Sequence, residues 1–524
     1  MADAATGRTR RVTPVFREEE RVTPLELFFD LVFVLAITQC TALMADQPSW
    51  EGIAKGILVL AALWWSWVGY AWLTSVIEPE EGAVRLVIFA AMAAMLVVAL
   101  CVPQAFDDLG LAFAIAYGFV RACHIALFWI SSRDAPELRR STAGLALGTA
   151  VGVGLLVVAS FFDGALQGAL WLLAISLDVA EPYFFGSEGW RLVPGHFAER
   201  HGLIMIIALG ESIVAIGVGA AAGVTAGIAA AAVLGIGLVC AMWWLYFDVV
   251  AIVAALHLSR ARPGKERNEM ARDSYSYLHF PMVAGIVLVA LGLKKTLEGV
   301  DDPLKAEIAF ALAGGLAIYL LAHVAFRLRN VGTLSRQRLL TAGVAAALIP
   351  LATEIPSVVS VGILTALAAA LIAYETIRFA ERRDDPPVDV RSPIADGDRG
   401  RGLFFLGGKG RAMPDPSTNA ERTRVCKILV RQADLTNLWT PEGPTPLAQD
   451  LLQQNGGTMS SGQRVLFLLA WVIWKAPLDP TKLKASEILG CLDDDNLHLV
   501  GTLLGAISHG HEALEEWLAK YEHE

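Results

Sequence analysis

The chain has 524 residues, of which 55% are hydrophobic and only 18% charged, with a formal net charge of −10. A water-soluble protein carries closer to a quarter charged residues, so a soluble globular domain is excluded as a description of the whole chain. Much of the acidic excess sits in the tail after Arg383, and no basic surface points to nucleic acid as a partner.

The first 25 residues are polar and charged, and the first span is expected to serve as the membrane signal. From there to about Ala380 apolar runs of roughly twenty residues alternate with short polar breaks. Such runs match the hydrocarbon core of a bilayer, where backbone groups must be satisfied internally. They are too long for barrel strands and do not alternate polar with apolar, so they are helices. Spans are expected at 26–45, 53–76, 83–102, 108–130, 141–161, 165–185, 200–221, 226–249, 277–296, 305–326, 338–355 and 357–379. The last two, on either side of Pro356, also read as one kinked helix or a re-entrant segment.

Arginine and lysine gather in the N-terminal tail and in the breaks after spans 4, 8 and 10, for example Arg139, Arg140, Arg262, Lys265, Arg336 and Arg338. The opposite breaks are nearly free of them; Lys55, Lys294, Lys295 and Lys305 are the main exceptions. The positive-inside rule then places both termini in the cytoplasm. The halves, spans 1–6 and 7–12, share fragments: Trp64-Trp65 against Trp243-Trp244, and Tyr117 with Arg121 and His124 against Tyr319 with His323 and Arg327. A parallel repeat about an axis along the membrane normal is one reading. Chance recurrence among apolar helices is the other.

After the membrane region (26–382), residues 383–420 are rich in Pro, Gly, Asp and Arg and read as a flexible linker. A helical pattern with more charge returns over 421–524. Its apolar run Val465–Trp474 is too short to span and suits the buried helix of a small cytoplasmic domain. Ser460 or Ser461 and the acids Asp493 to Asp495 are its expected helix starts. A thirteenth span is the alternative. The expected fold class is therefore all-α: a polytopic helix bundle with a small cytoplasmic helical domain.

Charges inside spans are costly, by at least about 2.5 kcal/mol each, and tend to serve a purpose. Glu26 and Asp30 are four apart and share a helical face. They repel unless a cation sits between them, which suits proton or cation handling; an ion pair with an interfacial arginine is the plainer reading. His196, Arg200 and Glu211 fall on one stripe of span 7, with Glu199 beside it and His201 turned elsewhere. Glu211 lies near mid-membrane, either as an ion or proton site or as a neutral acid tying helices together. Arg121 and His124 share a face of span 4 and are plausible partners for the span 1 carboxylates. Asp178 and Glu181 share a face near the end of span 6. His279, His323 and the Trp64, Trp65, Trp67 and Trp72 group read as packing and interface anchors. His196, Glu199 and His201 lack the single-face spacing of a zinc site. No nucleotide loop, dinucleotide fingerprint or nucleophile elbow calls for a cofactor.

Three segments carry a resemblance. TPLELFFDLVFVLAITQ (23–39), HFAERHGLIMIIALGESI (196–213) and YSYLHFPMVAGIVLVALG (275–292) resemble successive motifs of the bacterial low-temperature-requirement A family. The likeness covers roughly residues 15–385. It implies a multi-span protein of the bacterial inner membrane whose motif residues are Glu26, Asp30, His196, Glu199, Arg200, His201, Glu211 and Ser212. Residues from Glu421 onward depart from that plan.

The expected function is a proton- or cation-coupled secondary transporter of an unknown small solute or ion. Its polar pathway would run along Glu26, Asp30, Arg121, His124 and Glu211. Besides the lipid bilayer, a cytoplasmic protein partner of residues 421–524 is expected. A membrane sensor or scaffold signalling through that domain is the alternative, and an intramembrane enzyme a third.

Overall fold

A computed structural model describes residues 21–384, apart from 81, 83, 134, 185–189, 191, 222 and 249, and within 419–521 only separate pieces. The chain divides into two compact units, Met1–Val390 and Arg391–Glu524.

The first unit is a helix bundle. Its first half holds α1 (Pro24–Asp46), α2 (Trp50–Thr74), α3 (Val84–Cys101), α4 (Gly110–Ser131), α5 (Pro136–Ala159) and α6 (Gly164–Phe184). The second half opens with α7 (Pro194–Gly219), α8 (Ala226–Phe247), α9 (Val250–Arg260) and α10 (Lys265–Met270). A π-helical stretch, Ala271–Tyr277, leads into α11 (His279–Glu298). After α12 (Ala306–Ala309) a second π turn, Phe310–Gly314, leads into α13 (Gly315–Val331). Then come α14 (Arg336–Ala347), α15 (Ile349–Ala352) and α16 (Ser357–Asp384).

Local chemistry sets the ends. Thr23, Ser49 and Thr225 cap α1, α2 and α8 through their side-chain oxygens, and proline opens α1, α5 and α7, where a missing N–H costs nothing. Gly332, at φ 70°, closes α13 in the left-handed conformation that glycine adopts without strain.

Among the described residues eleven helices are long and apolar enough to cross a membrane. The segment expected at 338–355 differs: it breaks at Leu348 into α14 and α15. Together they cover the 17 residues from Arg336 to Ala352. Near its end Ala352 O accepts the Leu304 N–H at 3.2 Å, and Pro356 bridges Pro303 at the start of the preceding pair. The stretch after span 8, expected as a charged loop, is instead largely helical as α9 and α10.

The two halves repeat one packing order. α1 packs on α3, α3 on α4, α4 on α5 and α5 on α6; α7 packs on α11, α11 on α13, α13 on α14 and α14 on α16. α2 meets α6 as α8 meets α16, and α1 meets its counterpart α7. This recurrence favours the repeat reading over chance. α2, α11 and α13 lie deepest, each with 78% of its apolar window inside the bundle. α11 and α13 come very close. A Cβ on Gly285 would sit 2.7 Å from Gly315 O, and one on Gly315 would sit 2.8 Å from Gly285 O. Outside, large apolar side chains such as Leu31, Leu86, Ile115 and Phe119 are exposed, the reverse of a protein that faces water.

In the second unit, α17 (Asn419–Gln432) and α18 (His511–Tyr521) pack around Leu429, Phe467, Leu503 and Leu518, and Trp439–Thr440 pairs with Gly443–Pro444. The N-terminal arginines before Arg21, residues 385–418 of the linker, Ser460, Ser461 and Asp493 to Asp495 fall outside the described residues, as does most of Val465–Trp474.

Candidate functional site

The first turn of α1 builds the central site. Thr23 and Glu26 form a reciprocal capping box: the Thr23 hydroxyl accepts the Glu26 N–H, and Glu26 Oε2 accepts the Thr23 N–H at 2.8 Å. This leaves Glu26 Oε1 facing α7. There it meets His196 Nε2 at 2.8 Å and accepts from Arg200 Nη1 at 3.0 Å. One turn further along α1, Asp30 Oδ1 accepts from Arg200 Nη2 at 2.7 Å and from the Trp67 indole N–H at 2.9 Å. The end of α2 completes the ring: Thr74 Oγ1 accepts Arg200 Nη1 at 3.1 Å, and Ser75 Oγ lies 3.0 Å from His196 Nδ1. Arg200 also stands over the Trp67 ring at 5.6 Å.

All four ionisable groups are buried, with Glu26 and Asp30 each 1% exposed and His196 and Arg200 fully covered. Two carboxylates face one guanidinium. In a low-dielectric interior an uncompensated charge is expensive, so the shared guanidinium is what lets the two carboxylates sit side by side out of solvent. The second oxygen of Asp30 has no hydrogen-bond partner.

The partners of the span 1 carboxylates are thus Arg200 and His196, not Arg121 and His124. The cause is geometric: α4 packs against α3 and α5, and its Arg121 reaches across to Asp178 of α6. Arg121 Nη2 donates to Asp178 Oδ1 at 2.9 Å and to Thr149 Oγ1 at 2.8 Å, while Nη1 reaches Trp65 O at 3.4 Å. His124 is buried beside the Tyr70 ring, centroids 5.5 Å apart. Gly69 makes room for it: a Cβ there would lie 2.8 Å from His124 Cε1.

The stripe expected on α7 does face α1. His196 and Arg200 meet Glu26, and buried Glu211 accepts the hydroxyl proton of Thr38 further along α1. Ser212 is buried with its hydroxyl unpartnered. Glu199 is exposed and accepts the Val22 N–H at 3.2 Å. His201 donates from Nδ1 to Phe197 O at 2.8 Å and packs edge-on to Trp67 at 4.9 Å and Tyr275 at 5.2 Å. It belongs to an aromatic core with His279, outside the charge network.

Other polar residues were missed or misassigned from the sequence. Arg338, counted there with loop charges, is buried: it pairs with Glu375 through Nε at 2.9 Å and Nη2 at 2.7 Å. The tryptophans do more than pack, since the Trp64 and Trp72 indoles donate to Ser276 O and Oγ at 2.8 and 2.9 Å. The polar pair Thr74-Ser75 at the end of span 2 was the available signal for that part of the ring. Among the described residues no three His, Cys, Asp or Glu side chains gather to hold a metal ion.

A family model described as bacterial low temperature requirement A protein matches residues 21–373. An uncharacterized protein of Rhizobium meliloti (strain 1021) is 29% identical over 310 residues, which are 56% of this chain and 74% of that protein. No solved structure matches the chain.

Proposed function

The chain belongs to the bacterial low temperature requirement A family, and on that premise we propose that it is a proton- or cation-coupled secondary transporter of the bacterial cytoplasmic membrane. One observation carries the reading. The buried set of Glu26, Asp30, His196 and Arg200 lies where α1 meets α7, the counterpart helices of the two halves. In transporters built from parallel repeats, alternating access rocks one half against the other. Contacts at that seam are made and broken in each cycle, and a carboxylate released from Arg200 in one state takes up a proton or cation instead, which couples the motion to its uptake. The arginines in the breaks after α4 and α13 and beyond α8 support cytoplasmic termini.

The test is solute flux after a pH jump in proteoliposomes, over a panel of monovalent cations and small organic solutes. Wild type carries one of them, and Asp30→Asn loses the proton dependence while remaining folded. Unchanged proton-coupled flux in folded Asp30→Asn overturns the proposal.

The compact second unit, Arg391–Glu524, supports a second reading as a membrane sensor whose tail binds a cytoplasmic protein. Deleting residues 384–524 separates the two: a transporter keeps its flux and a sensor loses its output.

A further inference from the structure

Asp178 and Glu181 stand one turn apart on α6, as Glu26 and Asp30 do on α1. The likeness ends at the arginine. Arg200 bridges both of its acids, whereas Arg121 reaches only Asp178, at 2.9 Å. Its other hydrogen bonds go to Thr149 Oγ1 and Trp65 O. Glu181 accepts no hydrogen bond from any described residue, although it is only 5% exposed. Gly148 of α5 makes room for it: a Cβ there would lie 3.1 Å from Glu181 Cγ. Neither Glu181 oxygen is among the sealed, unpartnered polar atoms of the bundle. The carboxylate therefore opens onto the cavity whose wall Glu181 helps to form, about 60 Å³ between α2, α4, α5 and α6.

We infer that this cavity binds a small organic ammonium ion, with Glu181 as its counter-charge. Two arginines also stand in the wall, and each is already matched: Arg121 by Asp178 and Arg272 by Asp273, the latter at 2.8 Å. Glu181 is the charge there that lacks a partner. A carboxylate so placed is costly until a cation meets it.

The rest of the wall selects the kind of cation. Trp65, Trp72 and Trp190 line it, with the Trp72 and Trp190 rings 5.5 Å apart and edge-on to each other. Indole faces attract organic cations. A hard metal ion asks for about six oxygen ligands, and the oxygen-bearing side chains among the described wall residues are Glu181 and Ser276. The volume limits the guest as well. By the room that one water needs, it holds roughly four or five non-hydrogen atoms, the size of a short alkylammonium. The site lies apart from the charge network at α1 and α7, and it does not rest on the transport reading.

The test measures binding without a gradient. Full-length protein in detergent is titrated with ethylammonium chloride, and saturation-transfer NMR follows the ethyl protons. The buffer is held at about pH 8.5, where an alkylamine is still an ammonium ion. Methylammonium, ethanol and sodium chloride serve as competitors. The expected result is saturable binding that methylammonium displaces and that ethanol and sodium do not. Glu181→Gln, which keeps the shape and loses the charge, weakens binding roughly tenfold or more. Val68→Phe, which fills the cavity from α2, does the same, and melting temperature verifies that each variant is folded. Absence of saturable binding to folded wild type overturns the inference. So does undiminished binding in folded Glu181→Gln, or displacement by ethanol or sodium as effective as that by methylammonium. Because no flux is read, these failures leave the transporter proposal standing, and loss of flux leaves this one standing.

Discussion

Arg200 Nη2 lies 2.7 Å from Asp30 Oδ1 with both side chains out of solvent, so the first helix of one half is clamped by a charge from the first helix of the other. Removing one partner of such a pair leaves a buried charge alone. Arg200→Leu should destabilise the bundle by about 3–5 kcal/mol, read as a fall in melting temperature in detergent. The triple variant Glu26→Gln, Asp30→Asn, Arg200→Leu should recover most of the loss. If it melts as low as Arg200→Leu, the clamp is not the source of the effect.

Glu26 has two tasks on two oxygens, capping its own helix and holding α7. Thr23→Ala removes only the cap and should cost about 1 kcal/mol. Glu26→Gln disturbs both tasks and should cost more. Hydrogen exchange at the start of α1 checks this: Thr23→Ala should speed exchange there and leave α7 protected.

Gly285 and Gly315 face each other with no room for a methyl group. Alanine at either should separate α11 from α13 and cost more than about 1 kcal/mol. Gly210→Ala is the control, because nothing lies within 4 Å of a Cβ there. Equal thermal stability of all three variants would refute the close approach.

Glu211 accepts from Thr38, and glutamine keeps that acceptor while losing the charge. Glu211→Gln should therefore change stability by less than about 1 kcal/mol yet abolish flux in proteoliposomes. Retained flux would remove Glu211 from the pathway.

The long apolar helices were legible in the sequence, because a twenty-residue apolar run has few other fates, whereas α9 and α10 were hidden by the charges they carry. The α7 stripe was legible too, since His196, Arg200 and Glu211 share an azimuth fixed by helical periodicity alone. Pairing between helices was not. Glu26 and Arg200 are 174 positions apart, and nothing in one chain distinguishes Arg200 from Arg121 as the partner. Arg338 was misread for a related reason. It stands two residues after Arg336 in what looks like a loop, and its depth comes from Leu245, His323 and Glu375, all distant in sequence. The break at Leu348 lies inside an unbroken apolar run, where only the following Pro350 hints at it.

The π-helical stretch Ala271–Tyr277 has a consequence of azimuth. A π turn accommodates one residue more than an α turn, so side chains before it are rotated by about 100° relative to those after it, compared with an uninterrupted helix. Ser276, which receives both the Trp64 and Trp72 indoles, lies within that offset. Deleting one residue from the stretch would straighten the helix, swing its upstream face away from α2 and release both tryptophans without altering a side chain that touches them.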